Sequence, residues 1–271
     1  MIISNTHRFA FIHIPKCAGT TIRNPLLEFD DCNGAHTGRV AVHPLLGNLD
    51  YVHIPLFTLR EHFEEEFKAV TNYWSFAVVR DPFARFSSSV SQRLKRYSDQ
   101  PIHRCSVDDI RKAVDESIAY LSQVPRSNHL LPPEYIHFQK QIDYIELDGE
   151  KIIDSLYTVD NVDLLLEAVG QHVGHSMGKD RHSRGVQRRA NQSFVFRNDF
   201  LRWMIETSRP LSKQVSRLLP EGVKQQVRKQ VYMHRDHRMN VLFDSSYVQD
   251  FIRDYYAKDI ALYTQVNSTV R

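Results

Sequence analysis

Apolar and polar positions alternate in blocks along this 271-residue chain, and the blocks outline its elements. Residues 8–14, RFAFIHI, form a short run rich in aromatic and β-branched side chains, which predicts a buried strand. It gives way to the turn-like PKCAGTT, and IRNPLLEF then opens a helix. Residues 74–79, WSFAVV, repeat the strand pattern and end in Arg-Asp-Pro. Asp81 followed by Pro82 predicts a helix start, a capping carboxylate and then proline at the first helical position. That helix is expected to run through FARFSSSVSQRLKRY to about Tyr97.

The same reading predicts an amphipathic helix over 59–70 (LREHFEEEFKAV) and further helices over 107–121 and 161–173. Strands are expected at 142–147 (IDYIEL) and 152–159 (IIDSLYTV), and a polar, basic loop at 178–193. The last third reads as helical in FLRWMIETS, GVKQQVRKQVYM and SSYVQDFIRDYYAKDIALY. Strands alternating with helices predict an α/β fold: a three-layer sandwich with a mostly parallel central sheet, helices on both faces and a helical C-terminal third. With no repeat, low-complexity tract or linker to divide it, the chain reads as one domain over 1–271.

Composition changes this picture little. The chain is 42% hydrophobic and 25% charged, ordinary values for a globular domain, and a net charge of +3 suits a protein that handles anions without requiring one. No run of about 18 apolar residues is present to span a membrane, and His7, Arg8 and Lys16 interrupt anything resembling a signal peptide. Cys17, Cys32 and Cys105 are odd in number and include no CxxC pair, which points to free thiols in a reducing compartment. A cytoplasmic location is the expectation.

Two segments carry chemistry. A strand that leaves through PKCAGTT into a helix presents backbone N–H groups and the positive end of the helix dipole to an anion. In that cradle Gly19 lets the backbone approach closely, Thr20 and Thr21 offer hydroxyls, and Lys16 brings a mobile charge. The nucleotide-triphosphate loop GxxxxGK[ST] places its lysine last, whereas here the lysine comes first. In the second segment, FAVVRDPFARFSSSV, Arg80 stands at the end of a strand and Ser88 on the second turn of the next helix. An arginine fork with a nearby hydroxyl at the C-terminal edge of a parallel sheet suits a phosphate monoester.

IHIPKCAGTTI resembles the 5′-phosphosulfate loop of sulfotransferases that use 3′-phosphoadenosine 5′-phosphosulfate (PAPS). It is close to the HIPKxGGT form of the Golgi carbohydrate and heparan sulfate 2-O-sulfotransferases. The second segment resembles their 3′-phosphate motif VxRDPxxRxxSxx. Weaker likeness extends to residues 51–54, 135–145 and 247–263. The resemblance implies a P-loop-like fold and sulfuryl transfer from PAPS to a hydroxyl of a carbohydrate or glycosylated acceptor, without a metal. It implies donor contacts at Lys16, Cys17, Ala18, Gly19, Thr20, Thr21, Arg80 and Ser88, with Lys16 also neutralising the leaving group. Related enzymes carry a base histidine shortly before the 3′-phosphate strand. His53 in DYVHI occupies that place, with His43 and His36 as the other candidates.

Other features stay bland. Glu61 and Glu64 to Glu66 read as a solvated helix face, and Asp81 and Arg85 as structural, with a local pair between them. HRDH at 234–237 lacks a third metal ligand. The basic loop 179–189 is either a solvated charge run or a cover for the donor or a polyanionic acceptor. Cys17 at a helix N-terminus is a place where a thiol pKa is lowered, but it reads as a small loop residue. Pro25 departs from the resemblance, because proline should kink the helix or delay its start. No nucleic-acid partner is implied. Two alternatives stay open: a P-loop kinase or other NTPase, and a binding module for anions or 3′-phosphoadenosine 5′-phosphate (PAP) without turnover.

Overall fold

The computed structural model describes residues 1–38, 40–98, 104–174 and 242–269, with the backbone of 195–196 and 232–233. Its centre is a sheet of β1 (Ile2–Ser4), β2 (Phe9–Ile12), β5 (Trp74–Val79) and β8 (Ser155–Thr158), in that spatial order. β1 runs antiparallel to β2, whereas β2, β5 and β8 are parallel. All four β2 residues are buried, as are five of the six in β5. Neighbouring side chains of a strand point to opposite faces, so burial of every position means that both faces are covered. The fold is thus mixed α/β with a mostly parallel sheet.

Between β2 and β5 lie α1 (Gly19–Leu26), the hairpin β3 (Val40–His43) and β4 (Gly47–Asp50), α2 (Leu56–His62) and α3 (Glu64–Asn72). The single helix expected over 59–70 is therefore broken. Phe63, at φ −141° and ψ 63°, ends α2 through its N–H on Leu59 and opens α3 through its carbonyl on the Phe67 N–H. Its ring packs against Tyr51 and His43, and that tertiary contact outweighs the local helical pattern. Pro25 lies inside α1, which is only eight residues long and passes into a 3₁₀ turn at Leu27–Phe29.

After β5, α4 (Pro82–Tyr97) begins as expected, with Asp81 accepting the Ala84 N–H at 3.0 Å and proline in the first turn. Phe86, Val90 and Leu94 recur at helical spacing and form a second core with α5 (Val107–Gln123) and α7 (Ser246–Tyr255). Each such side chain contributes about 1.5–3 kcal/mol by leaving water. The strand expected at 142–147 is instead a 3₁₀ turn at Ile142–Tyr144 followed by the two-residue β6 (Glu146–Leu147), which pairs with β7 (Glu150–Lys151).

The chain continues through β8 and α6 (Val162–Val173), which ends on Gly174 in the left-handed region at φ 72°. β9 (Val195–Phe196) pairs with β10 (Tyr232–Met233), so the last two residues of the helix expected over 222–233 are strand, and the rest of that expectation lies outside the described residues. The helix expected over 245–263 is two, α7 and α8 (Ala257–Thr269), divided at Tyr256. The expectations for 178–193, 200–208, and the HRDH motif at 234–237 lie outside the described residues. Among the described residues no helix is long and apolar enough to cross a membrane.

Candidate active site

The two chemistry-bearing segments leave neighbouring strands at the same edge of the sheet. β2 and β5 are parallel with Ile12 opposite Ala77, so the loop from Pro15 and the segment from Arg80 start side by side. In the loop, Lys16 (φ 65°) and Ala18 (φ 59°) both take left-handed backbone, at a cost of about 1–3 kcal/mol each for residues with a Cβ. No side chain among the described residues caps α1, whose opening amides face the loop. Such a bend of successive N–H groups is an anion-binding concavity. The Lys16 ammonium donates to Gln92 Oε1 on α4 at 3.2 Å, and Arg80 Nη1 donates to the Lys16 carbonyl at 3.1 Å. Ser88 is on the second turn of α4, 8% exposed.

Gly19 has a packing reason that the sequence did not show. A Cβ at this position would stand 1.6 Å from His13 Nε2, so the missing side chain makes room for an imidazole. Cys17 is turned inward, 2% exposed, with Sγ donating to Gln141 Oε1 at 3.3 Å. Burial pushes its thiol up to about 12, against the lowering that a helix start would give. Arg85 is structural, but its partner is not Asp81. It is buried, donating to the His137 carbonyl at 3.2 Å and to Asp259 Oδ2 at 3.5 Å, with its guanidinium over the Tyr256 ring.

His53 follows a turn closed by the Asp50 carboxylate on the Val52 N–H and the Asp50 carbonyl on the His53 N–H. Its Nδ1 lies 2.9 Å from the His13 carbonyl, and Tyr144 Oη donates to its own carbonyl at 3.3 Å. A carbonyl only accepts, so Nδ1 carries the proton and Nε2 the lone pair. Burial pulls its pKa down to about 4, which keeps the ring neutral near pH 7. Two more imidazoles flank it, His13 at 4.5 Å and His137 at 5.5 Å between ring centroids. Burial drives both far below the ordinary imidazole value. Ser89 Oγ and Arg85 fix the His137 carbonyl from α4.

His36 and His43 are elsewhere. His36 pairs with Glu66 at 3.0 Å, and both rings pack around Tyr51 and Phe63. Glu64 and Glu65 bind the exposed Lys68. No group of three or more metal-ligating side chains occurs among the described residues. His13, His137 and Gln141 escaped the sequence reading. Signals were present, His13 as the residue three before Lys16 in the IHIPK run and the other two inside the 135–145 stretch of weaker likeness, but no role was read from them.

A family model described as the sulfotransferase family matches residues 1–264. The chain belongs to the sulfotransferase family. No curated protein and no solved structure matches it. This sulfotransferase is accordingly a transferase of sulfuryl groups, with a hydroxyl-bearing acceptor, and its two expected anion-binding segments start at adjacent strand ends.

Proposed function

We propose that the chain transfers a sulfuryl group from PAPS to a hydroxyl of a carbohydrate or glycosylated acceptor, by direct in-line displacement. The observation that carries this reading is the parallel pairing of β2 with β5, which sets Lys16 and Arg80 beside each other at one sheet edge. PAPS supplies the activated sulfuryl group. The amides from Cys17 to Thr20, the Thr21 hydroxyl and the Lys16 ammonium hold the phosphosulfate arm, the Thr21 N–H being taken by the Ala18 carbonyl at 2.9 Å, and Lys16 offsets charge growing on the leaving oxygen. Arg80 and Ser88 hold the 3′-phosphate. His53 Nε2 takes the acceptor's proton as the hydroxyl attacks, and Nδ1 keeps its own proton on the His13 carbonyl. Sulfuryl transfer resembles phosphoryl transfer, in which positioning and charge stabilisation do most of the work. The sugar acceptor is supported by the IHIPK form of the loop.

PAP should raise the melting temperature without magnesium, and labelled PAPS should mark a member of a glycan library. Stabilisation by ATP only with magnesium would instead favour a kinase. Arg80→Ala is expected to weaken PAP binding by about 1.5–3 kcal/mol, the value of a charge-assisted hydrogen bond, in calorimetric titration. Unchanged PAP affinity would remove Arg80 from the 3′-phosphate site.

The pH profile has a defined sign. His53 acts in its neutral form, and its pKa lies near 4 because burial disfavours the imidazolium. Activity should therefore hold through pH 6 and fall only on approach to the low pKa, with kcat/KM as the readout and circular dichroism confirming the fold at each pH. An acid limb near the ordinary value of about 6.5 would point to an exposed histidine as the base.

A further inference from the structure

Both halves of the donor site converge on one side chain that the proposed chemistry does not use. Gln141 is fully buried, at 0% exposure. Its Oε1 accepts the Arg80 N–H at 2.9 Å and the Cys17 thiol at 3.3 Å, and its Nε2 donates to the Arg80 carbonyl at 2.9 Å. The amide thus pairs with both main-chain groups of Arg80, as a neighbouring strand would, at the point where β5 has ended. A primary amide alone joins an acceptor and a donor in one plane at this reach, because asparagine is a methylene shorter. Gln141 is itself seated. Its N–H donates to Asp259 Oδ2 at 2.8 Å and the Ile142 N–H to Oδ1 at 3.0 Å.

We infer that Gln141 is a positioning residue for donor recognition. It holds the Arg80 main chain and the Cys17 end of the loop at one fixed separation, so that Lys16 and Arg80 meet the two ends of the same nucleotide. The inference rests on the donor reading given above. Its energetic basis is preorganisation: a clamp made before binding spares the ligand the cost of ordering loop and strand end. Asp259 extends the clamp to α8, which ties the C-terminal helix to the phosphosulfate loop.

The test compares wild type with Gln141→Glu, which keeps the shape and an acceptor oxygen but loses the donor, and Gln141→Leu, which loses both. PAP affinity is read by calorimetry alongside melting temperature and steady-state kinetics. The expected result is a PAP affinity about tenfold or more weaker, a raised donor KM and an unchanged acceptor KM. In combination with Arg80→Ala, Gln141→Leu should cost less than it does alone, because the part of its effect carried by the Arg80 side chain is already lost while the part carried by the Cys17 end of the loop remains. If Gln141→Leu fails to fold, Gln141→Glu carries the same comparison. Unchanged PAP affinity with a lowered melting temperature overturns the inference, as do additive losses or failure of both variants to fold. A wild-type chain that binds no PAP sinks the donor reading first, and this inference with it.

Discussion

Replacing His53 by alanine is expected to cut turnover by about two to four orders of magnitude and leave PAP affinity nearly unchanged. The split follows from where the ring stands. Its Nδ1 proton is committed to the His13 carbonyl at 2.9 Å, so the group left for an acceptor proton is Nε2. Nothing in the donor contacts proposed for Lys16, Arg80 and Ser88 passes through this imidazole. Removal of a buried ring also opens space beside His13 and His137, so His53→Asn serves as the second variant. Its amide nitrogen stands at the level of Nδ1 and can still donate to the His13 carbonyl, yet it cannot accept a proton at neutral pH. Both variants should show low kcat with intact PAP titration. Full turnover in either would remove His53 from the role of base.

The second large effect is on stability. Asp259→Ala is expected to lower the free energy of unfolding by about 3–5 kcal/mol, because it strands a buried guanidinium. Asp259 and Arg85 are 0% and 1% exposed. Burial pushes the Asp259 carboxyl upward, against the pull of Arg85 and of the Gln141 and Ile142 amides, which favour the carboxylate. Removing the anion leaves two amide donors unsatisfied as well as the charge of Arg85. Urea unfolding measures the loss. Replacing both partners with apolar residues, Arg85→Met with Asp259→Leu, should cost less than Asp259→Ala alone, since no unpaired charge remains. A loss below about 1 kcal/mol for Asp259→Ala would mean that the pair and its amides contribute only as exposed groups do.

Local signals carried the strands and the helix that frame the site. Residues 74–79 are apolar at every position but Ser75 and Asp81-Pro82 is a cap, so β5 and α4 were readable to within a residue. The break at Phe63 was not, because it depends on rings from the β3–β4 hairpin. IDYIEL has strand composition, but Asp259 captures the Gln141 and Ile142 amides and bends the segment into a 3₁₀ turn. Sequence pattern cannot see a carboxylate more than a hundred positions away. The same holds for the site. PKCAGTT and RDPFARFSS declare themselves by residue type and order, whereas Gln141 matters through partners 124 and 61 positions distant. His137 lies in the 135–145 stretch of weaker likeness, but its place in the site shows only where α4 holds its carbonyl and its ring meets His53.

The contact between Gly19 and the His13 ring has a consequence for how this loop can drift among descendants. A methyl group at position 19 would occupy the space of an imidazole nitrogen. Alanine there is barred while histidine remains at 13, and a smaller residue at 13 would lift the bar while keeping the main-chain carbonyl that orients His53. Across related chains the two positions should therefore change as a pair, and a change at one alone should be rare.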